Sequence, residues 1–168
     1  MICQEIAKRY SPTTYRRYQR EKIVNKIQIR ELSVEDTPAI KRIYGDIIQK
    51  PAADDFNRII ETHARRKEDA CVVAERDGQV VGFMISYILT MGFGISKSAW
   101  IATLGVDPRY MGQGIGELMA KEIFRSYKAQ GIKNVYTSVR WNSTDLLSFF
   151  KTMDFDRSDF INLRKVIE

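Results

Sequence analysis

A chain of 168 residues with 44% hydrophobic and 29% charged content fits one folded domain with a real core, and excludes a disordered or fibrous protein. The net charge of +6 sits in residues 1–30, where Lys8, Arg9, Arg16, Arg17, Arg20, Lys22, Lys26 and Arg30 face only Glu5 and Glu21. The remainder is neutral, so a whole-protein argument for nucleic-acid binding fails. Cys3 and Cys71 form no metal or redox pattern, and the start lacks the regions of a secretory signal. The longest mostly apolar run, Val80 to Ile95, is too short and interrupted to span a bilayer. The expectation is a reduced, cytoplasmic protein with no metal and no membrane partner.

Residues 1–26 read as a basic extension in which Tyr10, Tyr15 and Tyr18 alternate with arginines. Its plain reading is an arm packed on the domain with solvated charges; contact with an acidic protein or RNA is the alternative. The domain follows over 27–168. Ile27 to Arg30 alternates as a strand, and Ser33 with Asp36 marks a capping box opening a helix to about Gln49, broken at Lys50-Pro51. Asp54 or Asp55 caps a second helix through about Arg66. It contains His63, the only histidine, which reads as a surface or packing residue. Ala70 to Glu75 and Val80 to Leu89 form a hairpin around Asp77-Gly78. Trp100 to Val106 is the next strand, Glu117 to Gln130 a helix with Gly131 at its C-terminal cap, and Asn134 to Arg140 a strand. Thr144 to Met153 is a helix, and Phe160 to Val166 the final strand. Met84, Met91, Met111, Met119 and Met153 read as fillers of core or ligand-channel space.

The chemistry concentrates in Leu104-Gly105-Val106-Asp107-Pro108-Arg109-Tyr110-Met111-Gly112-Gln113-Gly114-Ile115-Gly116. A strand ends at Pro108, an arginine follows, and three alternate glycines lead into a helix. Glycine lets backbone approach a ligand closely, and the first N–H groups of a helix are unpaired and positively polarised. Strand, glycine loop and helix start together form an anion site for a phosphate or pyrophosphate. Gly116 is followed by Glu117 and Leu118 where a P-loop needs lysine and a hydroxyl, which excludes a nucleotide triphosphatase. The glycine spacing and late position also exclude the dinucleotide fingerprint.

The pattern Arg109-x-x-Gly112-x-Gly114 after Val106-Asp107-Pro108 resembles the acetyl-coenzyme A loop of the GNAT N-acetyltransferase superfamily. Ile27-Gln28-Ile29-Arg30, Val80 to Ile85 and Phe149-Phe150-Lys151-Thr152-Met153-Asp154-Phe155 follow that family's order, the last where many relatives read Phe-Tyr-x-x-x-Gly-Phe. The resemblance implies a mixed α/β (α+β) fold, with a central, mostly antiparallel sheet of about seven strands and about four helices. It also implies acetyl-coenzyme A as cosubstrate and acetyl transfer to a primary amine on a small molecule, lysine side chain or peptide N-terminus. Pantetheine would lie between strands Trp100–Val106 and Asn134–Arg140, bonded by backbone at Leu104, Gly105 and Val106. The pyrophosphate would sit on N–H groups of Met111, Gly112, Gln113, Gly114, Ile115 and Gly116, beside Arg109 and Tyr110. Asn142 would contact pantetheine or cap the following helix.

The resemblance fails where proton transfer is expected. Counting back from Phe155 puts Phe150 at the family's acid tyrosine, and counting forward from Asn142 gives Phe149. Ala102 and Thr103 stand where relatives often carry a carboxylate. The catalytic residues are therefore unassigned. Three readings stay open: Tyr136 supplies the proton transfer, catalysis rests on positioning alone, or the protein binds acyl-coenzyme A as a sensor without efficient transfer. Asp54, Asp55, Glu61, Asp154, Asp156 and Asp159 are acids that could attract a cationic acceptor or stay solvated. A homodimer is expected by fold analogy through the edge of the final strand.

Overall fold

The computed structural model describes residues 26–51, 55–66, 68–90 and 97–167. The tyrosine–arginine arm up to residue 25, Asp54 and Met91 lie outside the described residues. The chain divides into two compact units, one running through Thr137 and one starting at Ser138.

In the first unit, β1 (Ile27–Glu31) leads through a 3-10 turn (Val34–Asp36) into α1 (Thr37–Ile48) and α2 (Asp55–Ala64). The Ser33 N–H donates to Asp36 Oδ2 at 2.9 Å, the carboxylate half of the expected capping box. Arg30 grips the same carboxylate in a fork at 2.7 and 2.8 Å, tying β1 to the start of α1. Gln49, with φ 55, turns the chain out of α1 ahead of Pro51. β2 (Val72–Arg76) and β3 (Gln79–Leu89) form the expected hairpin. Asp77 and Gly78, at φ 51 and 77, supply the two left-handed residues of a tight hairpin turn. β4 (Ser98–Val106), a 3-10 turn (Pro108–Tyr110), α3 (Ile115–Ala129) and β5 (Val135–Thr137) complete the unit.

The sheet has five strands in sequence order, β1 to β4 antiparallel and β5 parallel to β4. Alternation of side chains divides the core. On one face Val73, Phe83 and Ile85 pack under Ile40, Ile43, Phe56 and Ile60 of α1 and α2. The opposite face carries Gly82, Met84 and Ser86, and takes the buried side of α3: Ile115, Met119, Ala120, Ile123 and Tyr127. Gly82 is the contact point, since a Cβ there would stand 3.1 Å from Met119 Cε and 3.3 Å from Ile115 Cγ2. Ser86 Oγ meets the Tyr127 hydroxyl at 3.0 Å, and that hydroxyl accepts the Ala70 N–H at 3.1 Å. Burial pushes the neighbouring Cys71 thiol up to about 12, which removes it as a nucleophile.

The second unit holds α4 (Thr144–Lys151), with Phe150 buried between Phe149 and Phe155, whose ring centroids lie 5.2 and 5.0 Å away.

The mixed fold and the four helices match expectation, but the described strands number five and not about seven. The strand expected over Asn134–Arg140 shrinks to Val135–Thr137, and Phe160–Val166 forms no strand. Apolar alternation selects a strand only where a neighbour supplies a ladder. None does so there among the described residues, and Ile161, Leu163 and Val166 are exposed.

Candidate functional site

Two neighbours border β4, and one of them stops early. β5 pairs only with Ala99, Trp100 and Ile101, whereas β3 continues to pair as far as Val106. Beyond Ile101 the sheet is split. A bulge lies at the same place: Ile85 faces Thr103 and Ser86 faces Ile101, so Ala102 is an extra, exposed residue. Two hydrogen bonds fix which backbone groups line the split. The Ala99 N–H donates to Asn134 O at 2.9 Å, toward β5, and the Asp107 N–H donates to Val81 O at 2.9 Å, toward β3. Counting back from Asp107 along an alternating strand turns Gly105 toward β3 and turns Leu104 and Val106 toward the open edge. The bulge makes this possible by shifting the alternation by one residue. An open strand edge of unpaired N–H and C=O groups can bond an extended, amide-bearing chain.

Gly105 has a different job. A Cβ there would stand 2.7 Å from Phe83 Cε1 and 2.9 Å from Ile47 Cδ1. Its missing side chain is what lets the C-terminal end of α1 reach the sheet beside the split.

At the end of β4, Asp107 is 1% exposed and holds the turn together. Its carboxylate accepts from the Arg109 N–H at 3.0 Å, from Arg109 Nε and Nη2 at 3.0 and 2.8 Å, and from Arg42 Nη1 of α1 at 2.8 Å. The Arg109 hydrogen bonds, joined by Arg42, hold this carboxyl well below the ordinary aspartate value against the opposing effect of burial. Arg42 also pairs with Asp46 at 3.4 Å, while the largely exposed Arg109 brings a cationic side chain to the loop. Arg109 and Arg76 flank the Tyr110 ring at 5.7 and 5.3 Å. Gly112 and Gly114 adopt φ 72 and 83, and Gly114 caps α3, its carbonyl accepting from the Leu118 N–H at 3.1 Å. The N–H groups that open α3 have no intrahelical acceptor and can hold an anion. Met111 and Gly112 are exposed, while the Ile115 side chain is buried, so that residue offers only its backbone. Gln113 Oε1 is buried without a hydrogen-bond partner among the described residues.

Leu104 to Gly116 thus form one continuous feature of the first unit. Asn142 and Phe150 belong to the second unit, Asn142 exposed in the turn before α4 and Phe150 in its small core. Tyr136 is partly buried and stacks on Trp100 with centroids 6.3 Å apart. Glu61, Asp154, Asp156 and Asp159 are exposed, and Asp156 lies 3.6 Å from Lys151. No group of three or more His, Cys, Asp or Glu side chains able to hold a metal occurs among the described residues, and no helix there is long and apolar enough to cross a membrane. Two features escaped the sequence: the Asp107 anchor, whose only signal is an acid before the loop proline, and a pairing of His63 with Asp69 at 2.9 Å. His63 is partly buried, and nothing in the spacing pointed to its partner.

The comparisons agree with this geometry. The model of the acetyltransferase (GNAT) family matches residues 27–155. An acetyltransferase of Pectobacterium atrosepticum is 26% identical over 107 residues, covering 63% of this chain and 71% of that protein. Among solved structures, the aminoglycoside acetyltransferase meta-AAC0020 from an uncultured soil metagenomic sample superposes with a TM-score of 0.70 at 19% identity, over 87% of this chain and 99% of that one. The aminoglycoside N-acetyltransferase AAC(6')-Iy, solved with CoA, gives 0.71 at 14% identity, over 83% and 94%. A split strand running into a glycine-capped helix, within the matched region, leaves one assignment: this chain belongs to the GNAT acetyltransferase family.

Proposed function

We propose that the protein is an N-acyltransferase that moves acetyl from acetyl-coenzyme A to a primary amine by direct attack in a ternary complex. The observation that carries this reading is the loss of β5 pairing after Ile101 on the strand that feeds the glycine loop. In this reading the pantetheine amides bond Leu104 and Val106, and an N–H of that edge stabilises the developing oxyanion. The pyrophosphate sits on N–H groups from Met111 to Gly116 near Arg109, and Asn142 and Phe150 border the coenzyme as the family pattern implies. Gly105 contributes by packing. Residues 1–26 are an extension outside the catalytic domain of 27–168. Cytoplasmic residence and a homodimer remain part of the proposal. Aminoglycoside acetyltransferases among the structural neighbours support a cationic small-molecule amine as the first acceptor to try.

The test is release of coenzyme A thiol from acetyl-coenzyme A with aminoglycosides, polyamines, amino acids and short peptides. The control is the Gly112→Asp/Gly114→Asp variant. Both positions have positive φ, which aspartate tolerates better than most residues, and its carboxylates would repel the pyrophosphate. Turnover with one amine, lost by at least about tenfold in the control, is expected. Tight coenzyme binding without turnover would overturn the transferase in favour of an acyl-coenzyme A sensor.

A further inference from the structure

An aromatic row crosses the sheet at the mouth of the split. Tyr87 of β3 is in register with Trp100 of β4, and Trp100 with Tyr136 of β5, so all three share one face. It is the face of Phe83 and Ile85, which α1 and α2 cover further along the sheet. Trp100 stands two residues before Ala102, where β5 pairing has already ended. All three rings are only partly buried. The row continues into α2: the His63 ring stacks on Tyr87 with centroids 5.3 Å apart.

His63 is held in a defined orientation. Its Nδ1 lies 2.9 Å from Asp69 Oδ2, and the Asp69 side chain is 1% exposed. The other Asp69 oxygen accepts the Ile88 N–H at 2.9 Å, so the carboxylate is anchored to β3. In the neutral ring, a carboxylate at Nδ1 selects the tautomer that carries its proton there and puts the lone pair on Nε2. Nε2 has no hydrogen-bond partner among the described residues. Among the described residues, the titratable groups in contact with the ring are Asp69 from the loop after α2 and Tyr87 from β3.

Resting on the transferase reading, we infer that His63 is the proton acceptor for the amine, positioned by Asp69 and reached through a chain of waters running over the aromatic row. An alkyl amine reaches the site as an ammonium at neutral pH and must lose a proton before it can attack. His63 Nε2 takes that proton. The freed lone pair forms the N–C bond to the acetyl carbon, the C–S bond breaks, and the sulfur takes the second nitrogen proton. His63 then returns its proton to water, so ammonium and thioester become amide, thiol and one released proton. The row of aromatic faces also favours a cationic substrate before the proton leaves.

The experiment measures thiol release against pH with sisomicin and spermidine as acceptors, for the wild type, His63→Gln, Asp69→Asn and His63→Gly with added imidazole. His63→Gln is expected to lower kcat/KM on the order of a hundredfold near neutral pH and to abolish the acid limb of the profile. Imidazole is expected to restore part of the His63→Gly rate. Because the chain has one histidine, its NMR signal is unambiguous and should move when the acceptor that turns over is added. A His63→Gln variant with wild-type rate and acid limb would overturn the inference while leaving the transferase intact. So would one that loses rate and Tm together with an unchanged pH profile and no imidazole rescue. Absence of thiol release by the wild type with every amine would overturn the transferase reading, and this inference with it.

Discussion

Gly105 and Gly112 are both glycines of the same stretch, and they are glycines for opposite reasons. At Gly112 the backbone has φ 72 and an added Cβ would meet nothing within 4 Å, so conformation is the constraint. At Gly105 space is the constraint, because Phe83 and Ile47 fill the place of a side chain. Gly105→Ala should therefore cost about 1–3 kcal/mol, read as a fall in the urea midpoint, by forcing Phe83 or Ile47 off its rotamer. It should also weaken coenzyme A binding, because the C-terminal end of α1 would be pushed from the split. A wild-type midpoint would contradict the packing role. The left-handed glycines of the loop were legible because local conformation dictates them. The reason for Gly105 was not, since the ring it accommodates belongs to another strand.

Two helices end in the same way with different residues. At the end of α3 the Gly131 N–H bonds Lys128 O at 3.1 Å and the Ile132 N–H bonds Tyr127 O at 3.0 Å, around Gly131 at φ 74. After α4 the Asp154 N–H bonds Lys151 O at 3.2 Å and the Phe155 N–H bonds Phe150 O at 3.1 Å, around Asp154 at φ 63. Both are Schellman caps, whose left-handed residue is best served by glycine. Asp154 stands where many relatives place that glycine. Asp154→Gly should stabilise the protein by about 1 kcal/mol, seen as a higher Tm. An unchanged or lower Tm would mean that the aspartate carries no strain. The helices were readable because period and caps are local, whereas the final strand failed because a ladder needs a partner.

Across the first unit, two carboxylates tie elements that the chain separates. Arg30 and Asp36 link β1 to α1, and Asp107 links β4 to α1 through Arg42. Burial opposes the charge at Asp36, but its Arg30 hydrogen bonds prevail; at Asp107 the Arg109 hydrogen bonds dominate. Both groups therefore sit below the ordinary value of 3.8. A depressed carboxyl contributes stability that is fully present above its unfolded value and is lost as pH falls through the folded one. Unfolding free energy should hold from neutral pH to about pH 5 and decline below about pH 4. Asp107→Asn should cost on the order of 2 kcal/mol at pH 7 and flatten that decline, measured by urea unfolding across pH. An undiminished acid limb in the variant would refute the anchor.

By itself the sequence determined the family, the helices and their stops, the hairpin turn and the glycine loop. Each of these is written in contacts within a few residues, where period, capping and backbone freedom decide. Tertiary structure alone decided where β5 leaves β4, which backbone groups of Leu104 and Val106 face the gap, and that Asp107 and His63 find Arg42 and Asp69. Those facts depend on which strand ends first and which helix lies across it, and no local pattern encodes the distance between them.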